Sequence, residues 1–522
     1  MELSNIEQIE KATRFGRREL FRLGTALLFI VGVMMFTIMR TEGAANSTML
    51  VIAAMIGGYM AMNIGANDVA NNVGPAVGSR ALTLAGAILI AAVFEATGAL
   101  LAGGSVVGTI KKGIIDPGLI GDADTFIWLM MAALLAGALW LNLATALGAP
   151  VSTTHSIVGG VLGAGVAAGG WAIADWGKVG QITASWVISP LLGGLIAAGF
   201  LYLIKRGITY QPDKLDAARR RVPFLIGAMA WAFATYLVMK GLKKVWPVDF
   251  TTALLIGAAA AVAVFALVRP LVARAAARQE NTKAGVNRLF TLPLIFAAAL
   301  LSFAHGANDV ANAVGPLAAI SEAITHAAVA AKAPIPVWVM MVGALGIAVG
   351  LALYGPKLIR TVGSEITELD RMRAFCIAMA AAITVILATQ LGLPVSSTHI
   401  AVGGVFGVGF LREYLKVSYA QMLEEIKLHH QGADQETVAA YIREFEAAHL
   451  EEKGRMLAEL KAHSAKAELT KKERKSLRRV YKHELVKRSL LLKIAGAWVI
   501  TVPVSGLLAA VLFFMIRGMM LP

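Results

Sequence analysis

About 13 long apolar blocks follow one another along the chain, and each approaches the roughly 20 residues that a helix needs to cross a bilayer. The composition agrees with this pattern, because 57% of the 522 residues are hydrophobic and only 16% are charged. Soluble domains are usually about 45–50% apolar and about 25% charged. The blocks therefore predict an all-α polytopic membrane protein with about 12–13 transmembrane segments.

Two of the blocks, 151–168 and 395–411, are short and rich in glycine. Interrupted segments of this kind are typical of the broken or re-entrant helices of transporters. Each is interpreted as either a half-span or a full span, and the number of crossings depends on that choice.

The distribution of charge predicts the orientation. The net charge is +15, and the two most basic loops are 205–221, with six Lys/Arg against two acids, and 269–288, with five against one. Such loops lie on the cytoplasmic side of membranes. This favours a multi-pass protein of the cell inner (plasma) membrane with a cytoplasmic N-terminus, rather than a nucleic-acid-binding protein.

The first block, 23–39, is predicted to be an uncleaved anchor, with a signal peptide cleaved near Ala44-Ala45-Asn46 as the alternative.

A charged insert interrupts the apolar pattern late in the chain. Segment 411–488 carries 17 Lys/Arg and 13 Asp/Glu and contains no span. Its pattern is typical of an amphipathic helical hairpin exposed to the cytoplasm, with a regulatory or partner-binding role as the alternative.

An internal repeat organises the rest of the chain. The segment from Gly65 to Asn71 recurs identically from Gly306 to Asn312, and Leu147 to His155 recurs with small changes from Leu391 to His399. Two motifs in the same order at nearly the same offset indicate duplication. The first copy follows the anchor and enters the membrane from outside, whereas the second follows the basic loop 269–288 and enters from inside. We therefore expect two inverted-topology repeats that meet at the membrane midplane.

The repeat divides the chain into six parts. They are the cytoplasmic N-terminus and extra transmembrane anchor (1–48), the first transport repeat (49–204), a linker with two transmembrane helices (205–288), the first part of the second repeat (289–410), the charged cytoplasmic insert (411–489), and the closing transmembrane helix of the second repeat (490–522).

The first motif places Asp68 and Asp309 inside otherwise apolar stretches. An ionised carboxylate in a membrane costs about 2.5–3.5 kcal/mol on insertion scales, so it needs a partner. Neither motif contains Lys or Arg, and the expected partner is Na⁺ or a proton. Amide oxygens and freed carbonyls complete a hard-oxygen shell suited to Na⁺. The alternative is an Asp that caps a broken helix. The candidate cation-binding residues are Asn67, Asp68, Asn71, Asn308, Asp309 and Asn312.

Glu95 is a further candidate cation ligand. It lies in an apolar span, and the register of the repeats sets it against Ile347. The whole corresponding span of the second half, 337–355, contains no acid. A buried structural hydrogen bond is the alternative role.

The second motif predicts an anion site. In each copy a Gly and a Pro interrupt the helix, and three hydroxyl residues and a His follow. A helix start presents free N–H groups and a positive dipole end, both of which suit anions. Two such starts are expected to hold one tetrahedral oxyanion. Simple N-capping is the alternative, but capping needs only one hydroxyl. The hydroxyl residues are Ser152, Thr153, Thr154, Ser396, Ser397 and Thr398.

The two motifs predict symport when they are taken together. An oxyanion beside bare Asp68 and Asp309 would be repelled, and loading a cation or proton on each acid removes that repulsion. His155 and His399 are interpreted either as proton carriers or as donors to backbone carbonyls.

Together these motifs resemble the inorganic phosphate transporter (PiT) family over nearly all of residues 50–516, apart from the insert. The resemblance implies a cation-coupled phosphate symporter with inverted repeats. It assigns the acids and hydroxyls, Asp68, Ser152, Thr153, Thr154, Asp309, Ser396, Ser397 and Thr398, to phosphate. It assigns Asn67, Asp68, Asn308 and Asp309 to the cation, the acids serving both roles through the ion.

The expected function is therefore import of inorganic phosphate coupled to Na⁺ or H⁺, with an alternating-access site at the midplane. No cofactor is expected beyond the coupling ion, and the other partners are the lipid bilayer and, as a candidate assembly, a homodimer. Sulfate or a metal–phosphate complex remains an alternative substrate.

A hydrolase built on Ser152, His155 and Asp68 is disfavoured, because the whole set is duplicated and no Gly-x-Ser-x-Gly elbow precedes either serine. We therefore expect no enzyme activity.

Overall fold

A computed structural model describes residues 2–41, 47–241, 246–326, 335–365, 369–429 and 488–520, and these residues are almost entirely helical. Ile115 and Ala174 form an isolated antiparallel β-bridge within these residues. Most of the charged insert and the cleavage-like residues Ala44-Ala45-Asn46 lie outside the described residues. The predictions made for those segments therefore stay predictions.

Sixteen helices are named here in chain order. The first half holds α1 (Glu2–Thr41), α2 (Ser47–Gly78), α3 (Leu84–Ala102), α4 (Gly104–Lys112), α5 (Ala123–Leu147), α6 (Thr153–Gly169) and α7 (Trp176–Ile204). Between the halves lie α8 (Lys214–Tyr236), α9 (Phe250–Ala276) and α10 (Lys283–Leu289). The second half holds α11 (Thr291–Asp309), α12 (Ala311–His326), α13 (Val337–Glu365), α14 (Arg371–Gln390), α15 (Ser397–His429) and α16 (Arg488–Met520).

Eleven helical segments among the described residues are long and apolar enough to cross a membrane. The sequence predicts about 12–13, and the difference lies in the two short glycine-rich blocks. Block 151–168 forms α6, which has only 17 residues, and block 395–411 forms the start of α15. The all-α polytopic membrane fold is confirmed, whereas the inverted topology of the repeats stays a prediction.

Helices of the two halves pack on each other in matched pairs. Helix α2 packs against α13, and the corresponding helices α11 and α3 pack against each other. In the same way α6 packs against α16, and α7 packs against α15. Four helix pairs that cross between the halves therefore join the two cores.

Both hydroxyl motifs follow a helix that ends on a left-handed glycine. Gly148 has φ 74° at the end of α5, and Gly392 has φ 66° after α14. A residue with a Cβ is strained in this conformation, which explains the glycine at both positions. The chain then runs without helical hydrogen bonds to Ser152 and Ser396, where the next helices begin. This arrangement sets two helix starts inside the protein.

Candidate functional site

Asp68 on α2 and Asp309 at the end of α11 lie at the centre of the protein, and both are almost fully buried. Each accepts a hydrogen bond from the helix start of its own half. Thr153 Oγ1 donates to Asp68 Oδ2 at 2.8 Å, and Ser397 Oγ donates to Asp309 Oδ2 at 2.8 Å. The carboxylate and hydroxyl motifs, which are about 80–90 residues apart in sequence, therefore form one site in each half.

Further hydrogen bonds join the two halves. Asn71 Nδ2 donates to Thr398 Oγ1 at 2.8 Å, and Thr398 Oγ1 lies 3.2 Å from Asp68 Oδ1. From the other side, Asn312 Nδ2 lies 3.2 Å from both Thr153 Oγ1 and Thr154 Oγ1. The hydrogen-bonded groups of the two halves thus form a single cluster, and each helix start contacts the carboxylate motif of both halves.

Two further asparagines hold the interrupted segments in place. Asn67 Nδ2 donates to Thr145 Oγ1 at 3.0 Å and to the Ala149 carbonyl at 3.3 Å. Asn308 Nδ2 makes the equivalent bonds to Thr389 Oγ1 at 2.9 Å and to the Leu393 carbonyl at 3.3 Å. A non-helical segment inside a membrane protein needs partners for its backbone groups. Asn67 and Asn308 supply such partners, so these side chains hold the interrupted segments that lead to the two helix starts.

Ser152 and Ser396 cap the two helix starts. Ser152 Oγ accepts a hydrogen bond from the His155 N–H at 3.1 Å, and Ser396 Oγ accepts one from the His399 N–H at 3.2 Å. The first hydroxyl of each motif therefore has the N-cap role considered above. The other two hydroxyls of each motif are directed towards the acids, the asparagines or the other half. A capping hydroxyl also retains its own proton to donate.

Prolines seven residues after each acid affect the same site. Pro75 lies inside α2 and Pro316 inside α12. Proline has no N–H, so the carbonyl four residues earlier loses its usual helical donor. Those carbonyls belong to Asn71 and Asn312. The two prolines thus remove the same helical donor at equivalent positions of both halves.

His305 is a central residue of the site that the sequence reasoning did not identify. It is fully buried, and its Nε2 lies 2.9 Å from Asp309 Oδ2 and 3.6 Å from Asp68 Oδ2. Its Nδ1 lies 3.2 Å from Glu95 Oε2. The ligand atoms of Asp68, His305 and Asp309 all lie within 4.8 Å of one another, a geometry that suits a shared ion. The imidazole therefore connects both predicted acids to Glu95.

Glu95, Asn72 and His305 form a part of the cluster that has no equivalent in the other half; we call it the asymmetric arm. Asn72 Nδ2 donates to Glu95 Oε1 at 2.7 Å, and His305 contacts the other oxygen. With the repeat offset of the first motif, His305 corresponds to Ile64 and Asn72 to Ala313. The arm of Asn72, Glu95 and His305 is thus a departure from the two-fold arrangement. A comparison of the residues that flank the two motif copies would have revealed it.

Close helix packing supports the equivalence of Glu95 with Ile347. A Cβ on Gly65 would overlap the Ile347 carbonyl oxygen, and a Cβ on Gly306 would overlap the Glu95 carbonyl oxygen. These two motif glycines let α2 approach α13 and α11 approach α3 at matched points. The glycine contacts therefore pair the same two residues that the sequence register pairs.

Several buried oxygen atoms of the cluster have no hydrogen-bond donor among the described residues. They include Asn71 Oδ1, Asn72 Oδ1, Asn308 Oδ1, Asp309 Oδ1 and Asn312 Oδ1. Buried acceptors without a partner are costly. Oxygen atoms in this state fit a hard cation such as Na⁺, which replaces the missing donors.

Comparisons with known proteins agree with this chemistry. The sequence profile described as the phosphate transporter family matches residues 64–509. A protein of Helicobacter pylori strain J99, named "Putative phosphate permease", is 54% identical over 523 residues, which is 98% of both chains. A protein of Thermococcus kodakarensis with the same description is 41% identical over 70% of this chain and 89% of its own.

A solved structure is also similar to the whole fold. It is named "The sodium-dependent phosphate transporter", shares 30% identity, covers 91% of this chain and 100% of its own, and has a TM-score of 0.73. The profile match spans most of the chain and includes both copies of both motifs. The protein therefore belongs to the phosphate transporter family, and it is a multi-pass membrane transporter rather than an enzyme.

Proposed function

We propose that the protein imports inorganic phosphate by symport with Na⁺ or H⁺, and that it does so by alternating access to the Asp68–Asp309 cluster. The observation that carries the proposal is the pair of equivalent hydrogen bonds from Thr153 to Asp68 and from Ser397 to Asp309. They place a hydroxyl-bearing helix start directly against each membrane-buried acid.

Phosphate is assigned to the space between the two helix starts. Helix N-termini and hydroxyl donors favour an oxyanion without adding a positive charge that would hold it too tightly. The proposed phosphate ligands are Ser152, Thr153, Thr154, Ser396, Ser397 and Thr398, with Asp68 and Asp309 acting through the cation.

The coupling ion is assigned to the oxygen atoms around the two acids. The proposed ligands are Asn67, Asp68, Asn71, Glu95, Asn308, Asp309 and Asn312. The unpaired oxygens of Asn71, Asn312 and Asp309 support a cation at this place. The similar solved structure is that of a transporter described as sodium-dependent, which favours Na⁺ over H⁺.

The hydrogen bonds indicate how the ion and phosphate are coupled. The protons of Thr153 and Ser397 are directed to carboxylate oxygens. A bound cation neutralises those oxygens and makes them poorer acceptors. The hydroxyls can then donate to phosphate, and the repulsion between phosphate and the acids falls at the same time. Ion and phosphate therefore favour each other's binding, as symport requires.

Uptake into proteoliposomes tests the proposal. We expect labelled phosphate to accumulate when an inward Na⁺ gradient is imposed, and to stay at equilibrium without an ion gradient. A proton gradient imposed separately distinguishes H⁺ coupling. Competition by sulfate tests the substrate, because phosphate carries protons that it can donate to the acids and sulfate does not. Equal inhibition by sulfate and unlabelled phosphate would contradict phosphate selectivity.

A further inference from the structure

A cluster of four aromatic rings lies beside the two helix starts, and the transport chemistry above does not use it. We call it the His–Trp cluster; it consists of His155, Trp186, His399 and Trp498. The His155 and Trp186 ring centroids are 3.8 Å apart, and those of His399 and Trp498 are 3.6 Å apart. The two histidine rings meet edge to face with centroids 4.4 Å apart.

The cluster joins the two halves at equivalent positions. Each histidine is the last residue of a hydroxyl motif, and each tryptophan lies on the closing helix of the same half, α7 or α16. The contact between His155 and His399 therefore joins side chains from the first turns of α6 and α15. Both histidines are almost fully buried, and Trp186 is 9% exposed.

Polar contacts in the cluster also cross between the halves. Trp186 Nε1 donates to the Pro394 carbonyl at 3.2 Å, inside the interrupted segment of the second half. His155 Nδ1 lies 3.4 Å from the Trp498 carbonyl. Each of these bonds links a helix start, or the segment leading to it, with the closing helix of the other half. Ring contacts and hydrogen bonds of the cluster therefore both connect the two halves beside the helix starts.

Those first turns carry the proposed phosphate ligands. Thr154 precedes His155, and Thr398 precedes His399, so each ring is attached to the backbone next to a hydroxyl of the site. Thr154 Oγ1 already donates across the halves to the Val395 carbonyl at 2.9 Å. Displacements near 1 Å matter for the positioning of a bound group.

We infer that His155 and His399 are positioning residues, whose ring contact fixes the distance between the two hydroxyl sets and so fixes the affinity for a tetrahedral oxyanion. The rings act by packing, not by carrying protons. The inference rests on the proposed function, because it concerns the geometry of the proposed phosphate site.

Uptake kinetics of four variants test the inference: His155→Ala, His399→Ala, the double variant, and His155→Phe. We expect each single alanine variant to raise the KM for inorganic phosphate about tenfold with little change in the maximal rate, the signature of weakened substrate binding. Both substitutions remove the contact between the two histidine rings, so the double variant should fall well short of the roughly hundredfold change that independent sites would give. His155→Phe keeps a ring at the contact and should stay close to the wild type.

Several results would overturn the inference. They are an unchanged KM in the alanine variants, a multiplicative effect in the double variant, or a loss in His155→Phe as large as that in His155→Ala, which would indicate nitrogen chemistry. Trp176→Ala is the matched control, since it removes one ring of the exposed Trp171–Trp176 pair, whose centroids are 5.8 Å apart. Melting temperatures in detergent show whether each variant folds, and His155→Phe remains informative if an alanine variant does not. Failure of wild-type protein to accumulate phosphate would instead count against the proposed function.

Discussion

The His305 imidazole Nε2 lies 2.9 Å from Asp309 Oδ2, one helical turn away on α11. The same atom lies 3.6 Å from Asp68 Oδ2, on the other half of the protein. One side chain therefore contacts both acids of the proposed ion site. Removing it leaves two buried carboxylates that have lost a shared partner.

We expect His305→Ala to lower the maximal rate of phosphate uptake by about 10–150-fold, because hydrogen bonds to charged groups contribute about 1.5–3 kcal/mol. The measurement is initial uptake rate in proteoliposomes at matched protein content. Ile64→Ala is the matched control, since Ile64 is buried at the equivalent position of the first half. A rate for His305→Ala no lower than that of Ile64→Ala would contradict a role for the imidazole.

Asp309→Asn should abolish ion-dependent uptake while leaving membrane insertion intact. The substitution keeps the size of the side chain and removes the negative charge that attracts the ion. Uptake with and without an ion gradient measures the effect, and Asp249→Asn serves as the control because Asp249 is an exposed helix cap. Normal ion-dependent uptake in Asp309→Asn would exclude Asp309 from coupling.

The two neighbouring serines of the second hydroxyl motif should behave differently. Ser396 caps α15, so Ser396→Ala is expected to cost about 0.5–2 kcal/mol of stability. Ser397 instead donates to Asp309, so Ser397→Ala should change the KM for phosphate more than the melting temperature. Thermal unfolding in detergent and uptake kinetics, measured on the same preparations, separate the two roles. Identical profiles for both variants would mean that the motif has only a capping function.

Glu95→Gln tests the asymmetric arm. Asn72 and His305 each contact one Glu95 oxygen, and the amide would preserve the shape while removing the charge. We expect the ion concentration for half-maximal uptake to rise more than the KM for phosphate. The reason is that Glu95 contacts His305, which contacts the acids of the proposed ion site. An equal rise of both constants would indicate a general packing defect.

Gly306→Ala should impair folding, since the added Cβ would overlap the Glu95 carbonyl oxygen. Overpacking of a close backbone contact usually costs about 1–3 kcal/mol. Gly199→Ala is the control, because a Cβ at Gly199 meets nothing within 4 Å. A melting temperature for Gly306→Ala equal to that of Gly199→Ala would show that α3 and α11 are not held at this distance.

The polar motifs can be predicted from the sequence because the membrane makes buried acids and hydroxyls conspicuous. Asp68 and Thr153 are recognisable for that reason, and duplication points to their partners Asp309 and Ser397. The bonds between halves, such as Asn71 to Thr398, depend on which helices pack together, and repeat spacing carries no information about that.

His305 escapes sequence-based prediction for a different reason. Identity between the repeat copies reveals the motifs, and His305 is a position where the copies differ, with Ile64 as its counterpart. Here the mismatched residues Asn72, Glu95 and His305 contact one another and join the cluster formed by the matching motifs. The mismatched polar residues next to a repeated motif are therefore as informative as the motif itself.

The matched packing of α2 on α13 and of α3 on α11 has a consequence for biosynthesis. When the ribosome has completed the first repeat, the helix faces that later meet α11 and α13 have no protein partner. Asp68 then lacks its second-half partners, His305 and Thr398, until residues beyond position 300 have been translated and inserted. The site can therefore assemble only after the second half of the chain has been inserted, so it forms late in biosynthesis.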